Sequence, residues 1–357
     1  MRLRRVDPSR PGITRRGRGR GFEYFTPSGD KISDSEVLDR VRTLAIPPAW
    51  RDVWICTDAA GHLQATGIDA AGRRQYRYHD LWRERRDAAK FDHMIEFARC
   101  LPALRRTCVE TLEASDKLDR ERVLACAIRL LDHGFFRIGT ERAADEGDAV
   151  GLTTMRKEHV RVRADVVEFD YPAKGGKRTV RQLADASVVE VVGRLRRRRS
   201  GGPELLAYRG ARGAWVDVTA ADVNEAIKEH CGPDSSAKDF RTWNATVLAT
   251  VALAVTGPVE SEYQRKRAIT RACSEVAHYL GNTPTVARAS YIDPRVFDRY
   301  EEGWTSSGVF GRLHAAEFGV PSYQGEIERA VLDLLEEHTD ARGVVAIDDV
   351  ARELRGA

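Results

Sequence analysis

Five side chains in this sequence have types that could together steady and attack a phosphate: Arg137, Lys174, Arg241, Asn282 and Tyr291. A guanidinium carries a fixed fork of N–H donors suited to anion oxygens, and an amide adds a neutral donor. An ammonium can deliver a proton, and a phenol oxygen can act as a nucleophile. Each also has a plain structural reading. Arg137 follows a helix stop in Phe-Phe-Arg-Ile-Gly-Thr-Glu (135–141) and could simply cap carbonyls. Lys174 sits at a glycine-softened hairpin tip, where lysines are usually solvated. Arg241 opens a helix, where its charge opposes the dipole and asks for a partner such as Asp239 or a nearby glutamate. Asn282 after Gly281 reads as a left-handed C-cap, and Tyr291, nine residues further on, as a packed aromatic. Taken singly, none carries a function.

The elements around these residues follow from periodicity and punctuation. Residues 33–44 form an amphipathic segment that ends before Pro47-Pro48. Three strand-like runs follow at 52–57, 62–67 and 73–79, joined by Asp-Ala-Ala-Gly turns at 58–61 and 69–72. Aspartate at the start of a turn and glycine at its end suit an antiparallel meander. Val123, Leu124, Ala127, Ile128 and Leu131 fall at helical spacing, with His133-Gly134 as the stop. Strands at 160–162 and 166–171, a loop at 172–177 and a return strand at 178–183 build a hairpin. Helices then start at a Ser187/Glu190 capping box, at Thr219/Asp222, near 242 and near 261; Gly257-Pro258 and Gly281 stop the last two. Thr283-Pro284 and Asp293-Pro294 each read as an N-cap followed by proline, which leaves Tyr291 at the end of one short helix and just before the next.

At 357 residues the chain suits two domains. The fold class expected is α+β: a disordered basic arm (1–20), a β-rich domain (21–90), and a mainly helical domain with one hairpin (91–357) that ends in an acidic extension (301–357). Net charge is only +4, but it is unevenly placed. Residues 1–20 hold eight arginines against Asp7, and residues 301–357 hold five arginines against twelve carboxylates. Arg194 and the run 196–199 make the middle basic as well, a layout that suits a polyanion bound at one end. In the extension, Ile327, Ala330, Val331, Leu334 and Leu335 form an amphipathic face expected to pack. The six cysteines (56, 100, 108, 126, 231 and 273) show no paired spacing and read as small buried side chains in a reducing cytoplasm, without disulfides or zinc. No apolar run approaches the roughly 20 residues of a membrane helix. No Gly-x4-Gly-Lys-Ser/Thr motif and no metal-ligand spacing is present, so neither nucleotide nor metal is expected.

Together and in order, the five residues resemble the active site of the type IB DNA topoisomerases, in the compact form of bacteria and poxviruses. The strings FFRIGTE, KDFRTWNA and LGNTPTVARASYIDP carry the resemblance, which covers about residues 21–300. It implies that Tyr291 attacks a backbone phosphorus to give a 3′-phosphotyrosine, that Arg137, Arg241 and Asn282 bind the non-bridging oxygens, and that Lys174 protonates the leaving 5′-oxygen. Asn282 stands where poxviral and eukaryotic members carry histidine. The loop Ala-Lys-Gly-Gly departs from the family's usual Gly-Lys-polar pattern and leaves Lys177 as a rival to Lys174.

The resemblance further implies a monomer that surrounds double-stranded DNA as a C-shaped clamp in the bacterial nucleoid. Gly72–His79 looks like the family's DNA-reading segment, which implicates Arg73, Arg74, Gln75, Tyr76 and Tyr78. On a regular strand Tyr76 and Tyr78 share a face and Gln75 points away, so ordinary core packing of the two tyrosines stays open. Two alternatives remain. A tyrosine recombinase uses the same nucleophile, but usually carries His-x-x-Arg where this chain has Lys238-Asp-Phe-Arg241. A non-catalytic DNA-binding protein would not need all five residues.

Overall fold

The computed structural model describes residues 1–19, 21–139, 149–257, 259, 261–310 and 322–356. Thr140 and Glu141 of the first motif and Pro258 of the expected helix stop lie outside the described residues. The protein combines an N-terminal β-sheet with a largely helical body. It divides into two compact units, Met1–Asp92 and His93–Ala357.

In the first unit, β1 (Ile13–Arg18), β2 (Gly21–Phe25), β3 (Arg51–Ile55), β4 (Leu63–Ile68) and β5 (Arg74–Tyr78) form one sheet in the order β2-β1-β3-β4-β5. Every pairing is antiparallel. The expected meander is its β3-β4-β5 part. Both of its turns close as anticipated, with Gly61 N–H donating to Asp58 O and Gly72 N–H to Asp69 O, each at 3.0 Å. Helix α1 (Ser35–Thr43) is capped by the Asp34 carboxylate and packs Val37, Leu38 and Val41 against Ile13, Val53, Ile55 and Ala65.

The expected disordered arm is a correction. Residues 13–18 form β1, an interior strand, with Ile13 buried opposite Ile55. Two of the arginines that hide any hydrophobic period lie over aromatic rings. Arg15 lies 4.1 Å from the Phe22 ring and donates to Pro47 O and Trp50 O, and Arg16 lies 4.4 Å from the Phe25 ring. An arginine can therefore fill a position where a periodicity argument demands an aliphatic residue.

The second unit holds the C-terminal part of α2 (Asp80–Glu113), then α3 (Arg120–Gly134) and a three-stranded sheet, β6 (Val160–Arg163), β7 (Val166–Pro172) and β8 (Arg178–Leu183). Helix α4 (Ala186–Arg197), the ribbon β9 (Ala207–Arg209) with β10 (Trp215–Asp217), and helix α5 (Ala220–Cys231) follow. Helices α6 (Ala237–Thr256), α7 (Glu262–Leu280), α8 (Pro284–Ser290) and α9 (Arg295–Glu301) complete the body. Beyond them lie a short ribbon of β11 (Trp304–Thr305) with β12 (Val345–Ala346), and helices α10 (Ser322–Leu335) and α11 (Ile347–Gly356).

Several local expectations shift. The three strands expected at 160–183 form one sheet, and two further ribbons join them, whose two- and three-residue strands are too short to show alternation. Asp185, rather than Ser187, caps α4 by accepting from Val188 N–H at 3.1 Å. Helix α6 begins at Ala237, because Ser236 and Asp239 close a capping box there; Asp239 is thereby occupied, and Arg241 lies inside the helix rather than opening it. Cys100 and Cys231, expected as free thiols, form a disulfide across 131 residues of chain, a proximity that spacing does not reveal. The other four cysteines are free and buried as expected.

Candidate active site

Arg137 is held by backbone on both sides. Phe135 ends α3 in the left-handed region at φ 55°, which turns the chain sharply out of the helix. Arg137 O then accepts from Leu152 N–H, and Ile138 O from Thr153 N–H, both at 2.8 Å. Gly139 at φ +82° passes so close to Gly151 that a Cβ on Gly151 would lie 2.3 Å from the Gly139 Cα. The glycine of the Arg-Ile-Gly string is thus needed for backbone contact, and that contact fixes the base of the Arg137 side chain.

Arg241 projects from the second turn of α6 and is 4% exposed. Its Nη1 donates to Phe135 O at 2.5 Å and its Nη2 to Leu280 O at 2.8 Å. One guanidinium therefore ties the ends of α3 and α7 together, as a rigid fork can and an ammonium cannot. The same group lies 5.4 Å from the centre of the Tyr291 ring. Gly281, not Asn282, takes the left-handed C-cap of α7, at φ 62°. Asn282 is thereby free to turn its side chain to Arg137, whose Nη2 donates to Asn282 Oδ1 at 2.6 Å. Because arginine has only donors, the amide must offer it the carbonyl, which leaves Nδ2 pointing elsewhere. Among the described residues, Asn282 Nδ2 and Arg241 Nε are buried without a hydrogen-bond partner.

Tyr291 is half-buried and closes α8, whose N-cap is Thr283 as expected. Burial alone would raise its phenol pKa, but Arg241 and Arg137, with a smaller effect from Lys238, bring it below the ordinary tyrosine value. Burial lowers the Arg241 pKa to about 10, with repulsion from Arg137 adding to the effect. The guanidinium still keeps its charge at neutral pH. The arrangement sets two cations and an amide donor beside a phenol of increased acidity.

Arg137, Arg241, Asn282 and Tyr291 thus come together, while Lys174 does not touch them. It stands exposed, as does Lys177, on the β7–β8 tip, where Ala173 N–H donates to Lys177 O at 2.8 Å. Gly175 and Gly176 both have positive φ, 79° and 70°, which lets the tip turn without Cβ strain. Two further residues at this site were not singled out from the sequence. Arg181, on β8, donates to Tyr279 O and places its guanidinium 5.9 Å from the Phe135 ring. Strand alternation could have found it, since Thr179, Arg181 and Leu183 share the less exposed face of β8. Thr246, fully buried, accepts from Asp293 N–H at 3.1 Å and donates to Thr242 O, which packs the turn after Tyr291 onto α6. Nothing in the sequence marked Thr246.

Comparison with known proteins places the chain in a family. Residues 79–305 match the family described as eukaryotic DNA topoisomerase I, catalytic core. The chain belongs to the type IB DNA topoisomerases. It is accordingly an isomerase that breaks and rejoins DNA strands, a reading favoured over a recombinase or a non-catalytic binder. Residues 21–69 match the N-terminal domain of bacterial DNA topoisomerase IB. The chain is 26% identical over 297 residues to DNA topoisomerase 1B of Acanthamoeba polyphaga mimivirus, which covers 81% of this chain and 88% of the viral one. It is 22% identical over 292 residues to DNA topoisomerase 1B of vaccinia virus (strain Copenhagen), covering 78% and 86%. To DNA topoisomerase 1 of Daucus carota it is 28% identical over 144 residues, 40% of this chain and 17% of the plant protein.

In the N-terminal unit of this topoisomerase, β5 is an edge strand. Tyr76 is 47% exposed and stacks at 6.1 Å on Tyr78, so Tyr76 is no core aromatic. Tyr78 is half-buried, near His62. Arg74 is exposed, while Arg73 Nε and Gln75 Nε2 both donate to Asp69 Oδ2, at 3.0 and 2.9 Å. No helix among the described residues is long and apolar enough to cross a membrane.

Proposed function

We propose that Tyr291 is the nucleophile with which this topoisomerase relaxes supercoiled DNA. The Tyr291 oxygen forms a bond to a backbone phosphorus, the bond from phosphorus to the 5′-oxygen breaks, and a 3′-phosphotyrosine remains. The phenol gives its proton to solvent water, and Lys174, carried in by its hairpin, protonates the departing 5′-oxygen. Arg137, Arg241 and Asn282 donate to the non-bridging oxygens while charge builds there; one such donor is worth on the order of 3 kcal/mol of barrier. Religation reverses the step, because the phosphotyrosine keeps the bond energy, and neither nucleotide nor metal is required.

The observation that carries this reading is the pair of buried, unpartnered donors, Asn282 Nδ2 and Arg241 Nε, in a site whose bonded groups already include two guanidiniums. Buried donors without acceptors are costly unless a ligand satisfies them, and a phosphate oxygen would.

The N-terminal unit serves as the second jaw of a C-shaped clamp, with Arg73, Arg74, Gln75, Tyr76 and Tyr78 toward the DNA. The exposed Tyr76 on an edge strand supports that use, and the bonds of Arg73 and Gln75 to Asp69 would have to open or act through it. The enzyme works as a monomer, in the nucleoid. Relaxation of supercoiled plasmid in EDTA without ATP tests the function. A strict need for magnesium or ATP would overturn it.

A further inference from the structure

The family match ends at residue 305, yet a buried carboxylate from beyond it accepts three hydrogen bonds from residues within the matched segment. Glu328, on α10, is 6% exposed. It accepts from Arg105 Nη1 at 2.5 Å, from Arg105 Nη2 at 2.9 Å and from Trp243 Nε1 at 2.9 Å. The other edge of the Arg105 guanidinium donates to both oxygens of Asp132, from Nε and Nη2, each at 2.8 Å. Asp132 O accepts in turn from Asn244 Nδ2 at 2.8 Å. Trp243, Asp132 and Asn244 are all buried.

These partners occupy particular places in the chain. Asp132 lies in the last turn of α3, which passes through Phe135 directly to Arg137. Trp243 and Asn244 follow Arg241 on α6 by two and three residues. The network therefore binds together the two backbone segments that carry the arginines of the site. Val331, Leu334 and Leu335 are buried as expected, and α10 is further pinned by ion pairs of Arg99 with Glu336 and Arg299 with Glu337.

We propose that Glu328 is a positioning residue for DNA cleavage: its carboxylate, through Arg105, Asp132 and Trp243, sets the spacing of Arg137 and Arg241 across the scissile phosphate. The acidic extension is thus part of the catalytic machinery. A rigid guanidinium between two carboxylates transmits position because every donor has an acceptor in one geometry only. A displacement of about 1 Å at a catalytic group can cost on the order of a hundredfold in rate. This proposal rests on the roles given above to the two arginines.

The test uses the full chain and single-turnover cleavage of a pre-bound DNA duplex, at temperatures well below the unfolding midpoint of each variant. Glu328→Ala is expected to bind DNA as the parent does and to cleave at least tenfold more slowly. Glu328→Gln, which keeps a carbonyl for Trp243 or Arg105, is expected to recover part of that rate. In an Arg241→Ala background the further loss from Glu328→Ala is expected to shrink below threefold, because the group being positioned is gone. A purely structural role would instead lower the unfolding midpoint, leave the rate of the folded variant at the parental value, and give equal effects in both backgrounds. Either of the last two results overturns the proposal. If Glu328→Ala does not fold, Glu328→Gln and Trp243→Phe carry the same comparison. Parent and Tyr291→Phe run alongside: an inactive parent, or an active Tyr291→Phe, removes the functional reading, whereas normal Glu328 variants of an active parent remove this inference alone.

Discussion

Nη1 of Arg241 donates to the carbonyl oxygen of Phe135 at 2.5 Å, and Phe135 is a non-glycine residue in the left-handed region. An L-residue there costs roughly 1–2 kcal/mol, so the helix end is bent at some expense and held by the arginine. The bent end is also what delivers Arg137 to Asn282. A lysine at 241 can reach one of the two carbonyls but cannot span Phe135 O and Leu280 O. Arg241→Lys and Arg241→Ala are therefore each expected to cleave bound DNA roughly a hundredfold more slowly than the parent. Rapid-quench measurement of the covalent adduct checks it, and a Lys variant within threefold of the parent would contradict this geometry.

Tyr291 has a signature in its titration. Burial opposes ionisation and Arg241 and Arg137 favour it, with the cations prevailing, so its phenolate forms below the ordinary tyrosine range as pH rises. Arg241→Ala removes one of the cations that favour ionisation and leaves Arg137, so it should move the titration upward. The difference in ultraviolet absorbance between parent and Tyr291→Phe isolates this one phenol. The same Phe variant should bind DNA normally and form no adduct; an adduct on another tyrosine, or through a 5′-phosphate, would refute the assignment.

The choice between Lys174 and Lys177 can be made chemically. A 5′-bridging sulfur leaves as a thiolate and needs no proton, so it should restore cleavage to a variant that lacks only the general acid. Lys174→Ala is expected to be slow on normal DNA and close to the parent on the sulfur substrate, with Lys177→Ala nearly unaffected on both. The opposite pattern assigns the role to Lys177.

The strand position of residues 13–18 changes what a truncation should do. Removing residues 1–20 takes out β1, which lies between β2 and β3, together with the buried Ile13. The N-terminal unit should then lose protection from protease and its cooperative unfolding, beyond any loss of phosphate contacts. Ile13→Ala alone should destabilise that unit by about 2–4 kcal/mol, read from denaturant melts. A truncated chain with an unchanged melt would show that β1 adds nothing to the sheet.

Much of this protein was legible in the order of its residues. The meander, the hairpin, the Thr219 cap, the helix start near 261 and the stop at Gly281 depend on neighbours within a few positions, where turn and cap chemistry acts. The family strings were legible for a similar reason, since each is a short local segment. What the sequence alone could not supply were relations across long separations. Arg137 meets Asn282 across 145 residues, Arg105 meets Glu328 across 223, and Cys100 meets Cys231 across 131. Strand β1 was missed because Arg15 and Arg16 lie over aromatic rings while composition registers only their charge. The caps and periods determined which elements exist and where Tyr291 falls between two short helices. Only the tertiary packing decided which donors converge on it, because the partners of a buried polar group are chosen by proximity in space.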